Sequence, residues 1–317
     1  MTKNQPLKII FVGTPKFGAD ILEGLIKNYK PVLVITEPNK PTGRKQILTP
    51  PPVKVLAEKH NISVLQPEKI RNLELEIRNL SPDIIITASY GQILPKEILN
   101  IPKYGCLNIH PSLLPKYRGS SPIQTAILNG DKETGISIIL MNEKIDAGPI
   151  VASSKYTPLS NMNHKELEEE LAEAGLGLLL KTIPKWINGG IKPMPQDESK
   201  ATYTTTLTRE DGKIDWSKSA DKIERQIRAF YPWPGAFTFW EKDGKLLRIK
   251  ILKAKVAEIQ ESKLDTGQAL VSPSNKITVR CQKKFLEIWE LQPEGKNPMA
   301  SEDFLRGNPE FIGTILK

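Results

Sequence analysis

Residues 7–13 read LKIIFVG, a short apolar run closed by a glycine, and the next dozen residues space Phe17, Ile21, Leu22, Leu25 and Ile26 as one face of a helix. The same rhythm returns downstream at Val32–Ile35 (VLVI), Ile62–Leu65 (ISVL) and Ile84–Ala88 (IIITA). Continuous β-branched runs separated by helical patterns are what a parallel sheet covered on both faces requires. The first 150 residues are therefore expected to form a doubly wound, Rossmann-like α/β domain. In such sheets ligands sit beyond the carboxyl ends of the strands, and Thr14, Tyr90-Gly91 and the segment Asn108-Ile109-His110 all fall at such ends. Gly13 opens GTPKFG, which lacks both the Gly-x-Gly-x-x-Gly spacing of a dinucleotide loop and the Gly-Lys-Ser/Thr ending of a triphosphate loop. It reads as a tight turn between strand and helix.

The chemistry-bearing residues cluster in Cys106–Gly130, CLNIHPSLLPKYRGSSPIQTAILNG, and in a second piece, MNEKIDAGPI, that carries Asp146. Asn108 and His110 alternate with Leu107 and Ile109, so on an extended backbone the amide and the imidazole share a polar face while the apolar pair faces the core. An imidazole exchanges protons near neutral pH, a carboxamide donates to an oxygen gaining charge, and a carboxylate fixes the imidazole's tautomer. Together these groups suit attack on a carbonyl carbon. A lone His among apolar residues is more often a packing residue; it is the company of Asn108 and Asp146 that favours catalysis. Cys106 shares the strand face and is a rival nucleophile, but a buried packing thiol is the expectation. No other residue reads as a covalent nucleophile, so direct transfer is favoured.

Asn-x-His-x-Ser-Leu-Leu-Pro, then Arg-Gly-x-x-Pro and Asp-x-Gly in that order, resembles the signature of the formyltransferases that use 10-formyltetrahydrofolate. Within that family the chain is most similar to the members whose acceptor is methionine esterified to initiator tRNA. The resemblance implies transfer of the formyl group from N10 of 10-formyltetrahydrofolate to the methionyl α-amino group. It assigns Asn108 and His110 to the developing oxyanion and to positioning, with protons passing through His110 or a water held by Asp146. By the same analogy Ser112, Leu113, Leu114 and Pro115 form a folate-contacting turn, and Ser81–Pro95 (SPDIIITASYGQILP) lines the folate pocket. Residues 36–52 (TEPNKPTGRKQILTPPP) are too long and Pro-rich for a simple connection. Their position matches a loop that inserts against the tRNA acceptor end, and Arg44 matches its key arginine. Two departures stand out: Gln46 and Ile47 occupy places often basic in relatives, and Asn142 and Lys144 replace a usual Asp and Gly.

His164–Ile187 is expected to be a long amphipathic helix on the sheet, interrupted at Pro184, with His164 structural. Residues 1–189 then make the catalytic domain, 190–207 a linker without hydrophobic period, and 208–317 a second domain. The second domain reads as one helix (Ser219–Phe230) and short strands at Ala236–Trp240, Leu246–Val256, Gln268–Val271, Ile277–Arg280 and Phe285–Glu290, an OB-like β-barrel serving as a tRNA platform. IDW at Ile214–Trp216, RAFYPWPGA at Arg228–Ala236 and LEIWELQPEGKNPM match the family's second domain. Trp216, Trp233 and Trp289, flanked by apolar residues, are expected in its core.

Lys and Arg total 45 against 36 Asp and Glu, and from Thr208 onward 20 against 16, so the excess is +4 in the second domain and +5 in the rest. A moderately basic chain favours a polyanionic partner without requiring one. Two distant cysteines and three histidines exclude a zinc-ligand spacing, and free thiols with no metal are expected. Neither a leader nor a membrane-spanning segment is apparent, so a soluble cytoplasmic protein is the expectation. A monomer is expected separately, without a sequence feature that fixes it. The same folate domain serves transfer to glycinamide ribonucleotide or amino sugars and the hydrolysis or oxidation of the donor. The 36–52 insertion and the second-domain motifs argue against these. A non-enzymatic RNA-binding protein would have no use for Asn108, His110 and Asp146 together.

Overall fold

The computed structural model describes residues 6–43, 45–259 and 264–317. The chain resolves into two compact units. The first takes residues 1–122, 133–158 and 168–205, and the second takes 123–132, 159–167 and 206–317.

In chain order the first part of the molecule runs β1 (Ile9–Gly13), α1 (Lys16–Ile26), β2 (Leu33–Ile35), β3 (Lys40–Thr42), β4 (Ile47–Thr49), α2 (Pro52–Lys59), β5 (Val64–Leu65), α3 (Glu74–Leu80), β6 (Ile84–Ala88), α4 (Lys96–Leu99) and β7 (Cys106–His110). It continues with β8 (Arg118–Gly119), α5 (Pro122–Asn129), β9 (Thr134–Leu140), β10 (Ile150–Tyr156), α6 (His164–Ile187) and β11 (Tyr203–Thr204). The main sheet has the order β10-β9-β7-β6-β1-β2-β5. Strands β5, β2, β1, β6 and β7 are parallel, as the apolar runs require, and every residue of β1 and β6 is buried. The sheet is mixed, however: β9 is antiparallel to β7, and β10 to β9. Strand β10 forms an edge, buries only Val151 and exposes Ser153 and Lys155, and this weak apolar signal hid it from the sequence reading.

The order reverses on either side of β1, so the crevice between the ends of β1 and β6 is the switch point where α/β sheets bind ligands. Backbone crowding there explains Gly13: a Cβ would stand 2.7 Å from the Ala88 carbonyl oxygen. Helix α6 covers the sheet through Leu171, Leu179 and Ile183, all fully buried, and at Gly175 it approaches Ile109 and Ile136 closely. The helix is not interrupted at Pro184 but runs through it. One missing N–H costs less than exposing the apolar face that Leu179 and Ile183 bury in the turn before it.

The long insertion is not structureless. Residues 40–49 form the hairpin β3–β4, turning through Gly43 and Gln46, whose side-chain amide donates to the Gly43 carbonyl. Its second strand holds Ile47 and Leu48 in solvent. Arg44 lies outside the described residues.

The second unit contains α7 (Ala220–Ala229), β12 (Phe237–Lys242), β13 (Lys245–Ala257), β14 (Ala269–Val271), β15 (Ile277–Arg280), β16 (Phe285–Pro293), β17 (Met299–Ala300) and α8 (Ser301–Gly307). The strands make one antiparallel sheet of order β12-β13-β16-β15-β14, with β17 on β16. Its core takes Ile223 and Ile227 of α7, Trp240, Ile251, Ile288 and the T-shaped trio Trp240, Phe304 and Phe311. Of the three tryptophans expected inside, only Trp216 is buried, its Nε1–H donating to Thr238. Trp233 is 56% exposed and Trp289 36%. Trp233 sits between two prolines in a turn, and Trp289 points outward from β16 while Ile288 beside it points inward, so apolar neighbours in sequence do not become neighbours in space.

Candidate active site

Strand β7 delivers the amide and the imidazole. Its register sets Asn108 beside Thr87 of β6 on one side and Ile139 of β9 on the other, with His110 beside Ser137. Ile109 is buried under α6, which leaves Asn108 and His110 on the opposite face as the alternation demanded. The loop after β9 carries Asp146 over the end of β7, held in a left-handed backbone conformation (φ +48°).

The three side chains meet. Asn108 Nδ2 donates to Asp146 Oδ1 at 3.2 Å, and His110 Nδ1 lies 3.5 Å from Asp146 Oδ2. The backbone N–H of Gly119 also donates to Oδ2, at 2.8 Å. On its other edge, His110 Nε2 is 2.9 Å from the Tyr117 carbonyl oxygen. A carbonyl only accepts, so Nε2 carries a proton and Nδ1 is the nitrogen left for exchange. Thr87 Oγ1 donates to Asn108 Oδ1 at 2.8 Å, which turns the NH2 end of the amide towards Asp146. Sequence reading passed over Thr87 and its hold on the Asn108 amide. Its only signal there is a hydroxyl inside an otherwise apolar strand.

The Ser112–Pro115 turn braces His110. Ser112 is fully buried, its Oγ donates to the Lys116 carbonyl, and its own carbonyl accepts from Ser137 Oγ. The same Ser137 oxygen receives the N–H of Leu114. The side chain of Leu113 packs against Gly135, and the Leu114–Pro115 peptide is cis. The side chains of this turn are thus spent internally, and what they hold in place is the backbone from His110 to Tyr117. At the switch point Thr14 Oγ1 donates to the Tyr90 carbonyl, while the Tyr90 ring enters the core, where burial, then Glu37, pushes its hydroxyl up to about 12.

Asn142, which replaces the family's usual Asp, accepts the N–H of Lys144 and closes the same kind of turn that a carboxylate would. Beside this loop opens a cavity of about 930 Å³, lined among others by Leu99, Cys106, Met141, Asn142, Lys144, Ala147 and Trp186. Cys106 contributes packing: it is buried, and burial pushes its thiol up to about 12, far from a thiolate at working pH. Cys281 is likewise a buried free thiol. Among the described residues no group of three or more His, Cys, Asp or Glu is placed to hold a metal ion, and no helix is long and apolar enough to cross a membrane.

Residues 190–205, read as linker, belong to the first compact unit and reach the site. Gln196 Nε2 donates to the carbonyls of Asp146 and Gly148, each at 2.7 Å. Its Oε1 accepts from Arg118 Nε and Nη2. Arg118 is 1% exposed, forks onto both oxygens of Glu198 and donates to the Tyr203 hydroxyl. The Arg118 guanidinium holds the Glu198 carboxyl below its usual range, and the carboxylate in turn raises the arginine.

An amide, an imidazole and a carboxylate converging at the end of a Rossmann-like strand, next to a roomy cavity, suit acyl transfer from a bound donor. The formyl transferase family model matches residues 7–183, and the model of the formyl transferase C-terminal domain matches residues 206–309. Solved structures carry the same fold: a sugar 3N-formyltransferase at TM-score 0.64 and 24% identity, covering 93% of this chain and 100% of that one. HypX from Aquifex aeolicus, in complex with tetrahydrofolic acid, aligns at TM-score 0.62 and 19% identity over 98% of this chain and 48% of its own. The protein is thus a formyltransferase of the class that draws on formyl-tetrahydrofolate. Among curated relatives, a methionyl-tRNA formyltransferase of Halalkalibacterium halodurans is 46% identical, with 98% of each chain covered, and that of Bacillus subtilis is 44% identical over 98% of this chain and 97% of its own. The chain belongs to the methionyl-tRNA formyltransferase family.

Proposed function

We propose that Asn108, His110 and Asp146 catalyse formyl transfer from 10-formyltetrahydrofolate to the α-amino group of methionine on initiator tRNA, giving N-formylmethionyl-tRNA for translation initiation. The observation that carries this reading is the convergence of the Asn108 and His110 side chains on the Asp146 carboxylate at the end of β7. The neutral amine forms a bond to the formyl carbon, the bond from that carbon to N10 breaks, the amine gives up a proton and N10 gains one. Asn108 has one amide N–H on Asp146 and a second to offer to the formyl oxygen as negative charge grows there. His110, anchored at Nε2 by Tyr117, works through Nδ1, and Asp146 is the acceptor that keeps the proton within reach. Protons pass through His110 or through a water held by Asp146. The backbone of Ser112–Pro115 supplies part of the folate wall, and the cavity beside the Asn142–Asp146 loop has the volume for a small-molecule donor.

Arg44 meets the acceptor end of the tRNA, and residues 208–317 form the accessory platform. An OB-like barrel fits the second unit. Its two edge strands are both reached by the C-terminal segment: Lys317 exchanges backbone hydrogen bonds with Phe239 of β12, and Ala269 of β14 accepts from Gly313 and donates to Thr314. That ring of hydrogen bonds, together with the register shifts in β13 near Ile251 and Lys253, supports closure. The protein acts in the cytoplasm as a monomer.

The test is formyl transfer to charged initiator methionyl-tRNA, with free methionine and glycinamide ribonucleotide as rival acceptors, in wild type and His110→Ala. Formylation of the charged tRNA alone, with most of the rate lost in the variant, supports the reading. Formylation of a small amine would overturn the tRNA assignment, and donor hydrolysis without any acceptor would overturn the transferase assignment.

A further inference from the structure

We infer that Gln196, aimed by Arg118, is a positioning residue for the Asp146 carboxylate. It lies in the stretch 184–205 that falls between the two family models. The inference rests on the proposed role of Asp146.

Asp146 reaches its partners only because its backbone adopts a left-handed conformation that non-glycine residues avoid, so something must hold it there. Gln196 does so by spending both hydrogens of its amide on the carbonyls that flank this bend, those of Asp146 and Gly148. Gly148 is itself confined: a Cβ would stand 1.9 Å from the Leu140 carbonyl oxygen. The amide cannot turn over, because its oxygen accepts two N–H groups from a guanidinium buried to 1% exposure. A flip would set the NH2 against that guanidinium and the oxygen against two carbonyls. Arg118 is fixed in turn by Glu198 and Tyr203, and the next backbone N–H, that of Gly119, donates to Asp146 Oδ2. One arm of this brace therefore sets the carbonyl of Asp146 and the other its carboxylate. A segment built only to connect two domains has no need to hydrogen-bond this loop, and the side-chain amide of Gln196 is fully engaged within the protein.

Gln196→Glu keeps the acceptor for Arg118 and replaces the two donors with an oxygen facing carbonyls. Displacement of a catalytic group by a fraction of an ångström lowers kcat on the order of ten- to a hundredfold. We expect that loss in single-turnover formyl transfer, with the KM for methionyl-tRNA unchanged and the thermal midpoint close to wild type. In an Asp146→Asn background the same change should cost nothing further, because the residue acts through that carboxylate. Wild-type kcat in Gln196→Glu overturns the proposal, and so does an equal loss in both backgrounds. Should Gln196→Glu fail to fold, Gln196→Asn, one methylene shorter, carries the same cycle. Wild-type enzyme that does not formylate methionyl-tRNA would instead refute the proposed function, which keeps the two failures apart.

Discussion

Replacing Thr87 by valine removes one hydroxyl and keeps the side-chain shape, which isolates what that hydroxyl does. Thr87 is 2% exposed, and its Oγ1 gives Asn108 Oδ1 a 2.8 Å hydrogen bond. Two forces orient the Asn108 amide: the hydroxyl draws its oxygen towards β6, and Asp146 Oδ1 draws its nitrogen the other way. The valine variant loses only the first. A buried neutral hydrogen bond contributes about 1 kcal/mol, so the productive orientation should weaken by about that amount, equivalent to roughly fivefold in rate. Asp146 continues to repel a flipped carbonyl, which keeps the loss from approaching that of a missing catalytic group. The assay is steady-state formyl transfer with both substrates varied, alongside thermal unfolding. The expected result is kcat down about fivefold, the KM for tRNA unmoved, and stability lower by about 1 kcal/mol. A folded variant with wild-type kcat would show that Asp146 alone orients the amide. A loss as deep as that of His110→Ala would mean that Thr87 acts on the reaction directly, and either result would refute the argument.

Three further outcomes follow from the geometry. Asp146→Asn leaves an acceptor for only one of the donors on the carboxylate and removes the charge facing His110, so kcat should fall about a hundredfold or more, read by single-turnover kinetics. Burial, then repulsion from Asp20, pushes Glu168 up to about 7, so the folded state keeps a proton that the unfolded chain releases near 4.5. Stability therefore falls as pH rises from 4.5 towards 7, and Glu168→Gln, which does not titrate, should match wild type at about pH 4 and exceed it above pH 7 by up to about 3 kcal/mol in denaturant titrations. At Gly13 an added Cβ would stand 2.7 Å from the Ala88 carbonyl oxygen, a backbone atom held in the β1–β6 ladder, so Gly13→Ala should cost about 1–3 kcal/mol by overpacking, measured as a lower urea midpoint.

The parallel strands and the shared face of Asn108 and His110 were legible because they obey local periodicities: uninterrupted β-branched runs for buried strands, alternation for the two faces of β7. What was not legible depends on partners far away in the chain. Strand β10 forms because the bent loop of Asp146 returns the chain to β9, and its own residues carry little apolar signal. Trp233 and Trp289 were placed inside by their neighbours, yet a strand turns alternate residues outward and a proline-flanked turn exposes what it carries. Residues 36–52 offered no period, and the hairpin within them is only three residues per strand.

The site divides along the same line. Asn108, His110 and Asp146 carry chemistry in their own side chains and announce themselves by residue type. Their supports do not: Thr87 lies 21 residues before the amide it orients, and Gln196 lies 50 residues beyond the carbonyl it holds. Both are common polar residues whose meaning appears only when strand register and the returning chain bring them into contact. The sequence stretch with the least pattern, 190–205, therefore contributes the longest-range support of the Asp146 loop. Absence of a hydrophobic period made it read as linker, but hydrogen bonds to backbone carbonyls require none. A segment of this composition is free linker only if its polar side chains face water, and Gln196 instead satisfies two carbonyls beside a buried arginine.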